Sequence, residues 1–70
     1  MEMMMEDLKR VIRSYMEEAI ADPQNIVAGT AGEINWNFVD ADVYMRLNPV
    51  KETVDLYYKL FEEIAEELSA

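Results

Sequence analysis

The chain has 70 residues, 15 acidic against 6 basic, with neither cysteine nor histidine, a formal charge of −9 and 51% hydrophobic residues. That is room for one domain and a thin core, which buries only about 60% of the surface its unfolded chain exposes. The composition excludes disulfides and the usual zinc ligands, and the charge excludes non-specific binding to nucleic acid or to anionic membranes, both of which require cations.

No apolar run approaches the roughly 20 residues of a membrane helix. The opening MEMMMEDLKR carries acids among its methionines and lacks the basic n-region of a signal peptide. The expectation is a cytoplasmic protein. Domains of this size usually need a disulfide, a metal or a partner subunit. Self-association is the device left, so a homodimer, or docking onto a larger protein, is expected.

Residues from about Glu2 to Ala21 read as a first helix. Leu8, Val11, Ile12, Tyr15, Ala19 and Ile20 recur at helical spacing, and Met4 and Met5 extend the stripe backwards. Glu2, Glu6 and Asp7 suit the positive end of its dipole, and Asp22-Pro23 ends it, because proline pushes the preceding residue out of the α region.

The middle of the chain changes period. In EINWNFVDADVYMRL, a two-residue turn at Asp40-Ala41 pairs Phe38 with Val43, Trp36 with Met45 and Ile34 with Leu47. All six then share one face, and a slip of one residue would reverse it. A longer loop Val39–Asp42 fits as well, since Asp-Ala is not a favoured tight turn. The same residues also admit a short helix capped by Asp40 and running to Leu47. Upstream, Asn25–Ala28 reads as a third strand and Gly29–Gly32 as a turn.

The last stretch, NPVKETVDLYYKLFEEIAEELSA, carries Val50, Val54, Tyr57, Phe61, Ile64 and Leu68 on one helical stripe. Asn48 is placed to cap this helix and Pro49 to occupy its first position. The expected fold class is α+β: an N-terminal helix, a two- or three-stranded antiparallel meander and a long C-terminal helix, packed as a two-layer sandwich in one domain. Leu56 and Leu60 lie off the C-terminal stripe, and Tyr58 and Ala65 widen it on the other side. That apolar girth points to an interface built from Leu56, Tyr57, Tyr58 and Leu60, with Trp36 as a further anchor.

Chemistry finds little support. A triad needs a base, most often histidine, to activate its nucleophile, and Ser14 inside a helix reads as a solvated residue. Asp40 and Asp42 read as solvated loop residues, because paired-carboxylate catalysis needs a pocket that separates their pKa values. The Asp-Ala-Asp segment lacks the glycine and the later glutamate of a calcium loop. Gly29-Thr30-Ala31-Gly32 matches a GxxG nucleic-acid clamp only in an anionic setting that such clamps avoid. The length and acidity resemble those of acyl carrier proteins, but the Asp-Ser-Leu motif is absent. No enzyme activity, metal or cofactor is expected.

Glu62, Glu63, Glu66 and Glu67 crowd the negative end of the last helix dipole. They are expected to face Lys9, Arg10 and Arg13, within or between subunits. The six methionines fit either an adaptable binding surface or core filling. The function expected is a non-enzymatic protein–protein interaction module or accessory subunit. The alternative is an acidic nucleic-acid mimic that presents Asp40, Asp42 and the glutamate cluster to a basic groove.

Overall fold

A computed structural model describes residues 5–69, and Glu2 and Met4 of the predicted first helix lie outside them. Three α-helices account for most of these residues: α1 (Met5–Ile20), α2 (Trp36–Leu47) and α3 (Val54–Ser69). Single 3-10 turns stand at Pro23–Asn25 and Lys51–Thr53. The described residues contain no strand, so the α+β meander and the two-layer sandwich are overturned. The fold is all-helical.

The first helix forms much as its stripe predicts. Ile12, Met16 and Ala19 are buried, and Leu8, Val11, Tyr15 and Ile20 are half-buried beside them. Met16 is thus core filling. The helix stops before Asp22-Pro23, where the Asp22 carboxylate accepts the Gln24 N–H at 3.0 Å and opens the short turn.

Residues 36–47 are where helix and strand compete, and helix wins. Trp36, Val39, Val43 and Leu47 step by three and four, which sets one helical stripe inward. Val39 and Val43 are fully buried at its centre. Asn35 is the N-cap, its side chain accepting the Phe38 N–H at 3.3 Å. The helix therefore starts four residues before Asp40, which is neither a hairpin turn nor a cap. An isolated two-stranded hairpin is marginal in water, and both glycines of the chain serve elsewhere.

They serve the loop before α2. Gly29 and Gly32 take φ of +79° and +91°, a left-handed conformation that other residues enter at a cost. Thr30 Oγ1 donates to the Val27 carbonyl at 2.6 Å and accepts the Glu33 N–H at 3.1 Å, closing the turn on itself. One antiparallel bridge, Ile26 against Ile34, holds the loop's base. It is all that remains of the expected strand pairing.

Asn48 does not cap the last helix. It sits at φ 47°, ψ 59° and closes α2, its N–H bonded to the Tyr44 carbonyl at 2.8 Å. Asparagine is one of the few side chains that tolerates this left-handed cap, and proline commonly follows it. The chain re-enters helix from Val50 through the Lys51–Thr53 turn, without a side-chain cap. Val50, predicted to begin the α3 stripe, is outside the helix and exposed.

Tyr57, Leu60, Phe61 and Ile64 of α3 complete the core with the α1 and α2 residues. Phe61 packs edge-on to Trp36, and Tyr57 edge-on to Tyr44, with centroids 6.3 and 5.5 Å apart. As the chain advances along α3 its partners on α2 move backwards, so these two helices run antiparallel. No helix among the described residues is long and apolar enough to cross a membrane.

Candidate functional site

The residues predicted to form an interface divide in the structure. Tyr57 and Leu60 are buried in the chain's own core. Leu60 had seemed off the stripe because the α3 stripe is rotated to include it beside Phe61. Leu56 and Trp36 are half-buried. Tyr58 alone of the five is exposed, at 43%.

Tyr57 is held at its far end. Its hydroxyl donates to Asp40 Oδ1 at 2.7 Å, with the Asp40 carbonyl at 3.2 Å. Burial, and then the adjacent Asp40 carboxylate, push its pKa well above the ordinary 10.0. Asp40 likewise raises that of Tyr58. Tyr58 stacks on Tyr44 with centroids 6.2 Å apart. Asp40 is therefore a helical residue that positions an aromatic cluster, not a loop acid.

Asp42 is engaged too. It accepts from Arg46 Nε at 3.0 Å, while Arg46 Nη1 reaches Glu18 on α1 at 2.7 Å. Asn25 approaches Asp42 through Nδ2 at 3.4 Å. Neither aspartate of the Asp-Ala-Asp segment lies on a loop. Among the described residues no group of three or more carboxylates is arranged to hold a metal ion.

The glutamate cluster meets the α1 cations as the charge pattern predicts, and within one chain. Lys9 pairs with Glu67 at 3.1 Å and with Glu63 at 3.8 Å, and Arg13 also pairs with Glu67. Arg10 instead pairs with Asp7 on its own helix at 3.2 Å. Glu62 and Glu66 are exposed and make no ion pair among the described residues. Exposed pairs contribute little singly, but two cations share Glu67. Glu67→Lys is expected to lower stability by about 1 kcal/mol at low salt and less at high salt. Glu66→Lys should leave it unchanged or slightly raised, since it relieves the helix dipole. Thermal melts of both variants across a salt series check this contrast.

The surplus apolar surface lies elsewhere than predicted. Phe38 is 56% exposed and Met45 is 79% exposed, both on α2. Seven residues apart, they fall on one line along the helix, opposite the buried Val39 and Val43. Ala41 is exposed between them. Tyr44, one turn beyond Ala41, and the Tyr58 ring stacked on it continue the patch towards α3. α2 is consequently apolar on two sides, and only one of them is covered.

The signal for Phe38 and Met45 was in the sequence, but the strand reading turned both inward. An apolar groove of about 450 Å³ lies elsewhere, lined by Leu8, Leu47, Pro49, Val50 and Leu56, with Asn48 and Thr53 as its polar groups. Leu56 faces this groove. Its lining carries no titratable side chain, so it supplies no acid or base. No protein-family model, no curated protein and no solved structure matches the chain.

Proposed function

We propose that the chain is a non-enzymatic protein–protein interaction module whose docking surface is the outer side of α2. One observation carries the reading: Phe38, Ala41 and Met45 lie uncovered on a helix whose opposite side already fills the core. A helix apolar on both sides is ordinarily covered on both. Exposed Phe and Met with an adjoining tyrosine pair are also the residue types enriched at the centres of interfaces. The carboxylates that would serve an enzyme are tied up instead, Asp40 by Tyr57 and Asp42 by Arg46. A cysteine-free chain depends on no disulfide and so suits the reducing cytoplasm.

A photoreactive phenylalanine analogue at position 38, expressed in the native host, is expected to crosslink one identifiable protein, which can be a second copy of this chain. The crosslink should disappear when Met45→Glu is added. The same analogue at Glu17, on the exposed side of α1, should not give it. Equal labelling from positions 17 and 38 would remove the special status of α2.

A further inference from the structure

We draw no further inference here: the strongest candidate, the apolar groove that Leu8 of α1 lines with Leu47, Pro49, Val50 and Leu56 of the α2–α3 connection and its flanks, carries nothing, because it presents no charged side chain to select a ligand and nothing in the structure shows what covers it.

Discussion

Tyr57→Ala should remove about a third or more of the chain's stability at 25 °C. The ring is completely buried, touches Tyr44, Tyr58 and Phe61, and anchors α3 to α2 through Asp40. Truncating a buried aromatic costs about 3–5 kcal/mol. A 70-residue domain has a total stability of roughly 3.5–10 kcal/mol at the usual per-residue values. Denaturant melts followed by helical circular dichroism read the outcome directly. Tyr57→Phe separates the ring from the hydroxyl: it keeps the packing, removes one hydrogen bond to a charged acceptor and should cost about 1–3 kcal/mol.

The two proteins should also differ in alkali. Burial and Asp40 raise the Tyr57 pKa in the folded state above the 10.0 of the free side chain. The unfolded chain therefore releases that proton first. The stability linked to Tyr57 is complete below pH of about 10 and is lost as pH rises beyond it. Denaturant melts above pH 10 should fall more steeply for the native chain than for Tyr57→Phe. Parallel curves would show that the hydroxyl does not titrate with unfolding.

Asn25→Ala is the second substitution with a large expected effect, about 2–3 kcal/mol. Asn25 is the one buried polar residue among those described. Its Nδ2 donates to the Ala19 carbonyl at the end of α1 at 2.8 Å, and its own carbonyl accepts the N–H of Asn35, the cap of α2, at 2.8 Å. Alanine would leave the Ala19 carbonyl without that donor. Asn25→Asp should be worse, because a carboxylate cannot donate and faces both that carbonyl and Asp42. The pKa of the introduced acid is raised in the folded state by this setting. Its deficit is therefore smallest below about pH 3.9 and grows as pH rises through the carboxylate range. Urea melts at pH 4 and pH 7 compare the two variants.

The outer helices were legible in the sequence because each carries a single stripe and α1 has a clear stop at Asp22-Pro23. The middle helix was not, for a definite reason. Ile34, Trp36, Phe38, Val43, Met45 and Leu47 alternate in the manner of a hairpin, while Trp36, Val39, Val43 and Leu47 also keep helical spacing. The rule that large apolar residues point inward favoured the hairpin, because only that arrangement hides Phe38 and Met45. The helix leaves them out. A similar ambiguity misplaced Asn48, since asparagine before proline suits the start of one helix and the left-handed end of another.

The opposing charges of α1 and α3 could be matched from sequence as groups, though not residue by residue: Glu67 takes Lys9 and Arg13, while Arg10 turns to Asp7. The aromatic anchors could not. Tyr57 lies on the predicted stripe and Tyr58 beside it, yet the apolar girth of the helix pointed to both as interface residues. Only the rotation of α3 decides that the first is core and the second faces water.

The lone tryptophan of the chain, Trp36, stands in the first turn of α2 with its ring edge-on to Phe61 of α3. Its fluorescence is therefore an intrinsic reporter of the contact between these two helices, with no label required. Far-ultraviolet signals follow all three helices together. Emission and ellipticity that change in step under denaturant would identify a single cooperative transition, and an earlier shift in emission would show α2 and α3 parting before the helices themselves melt.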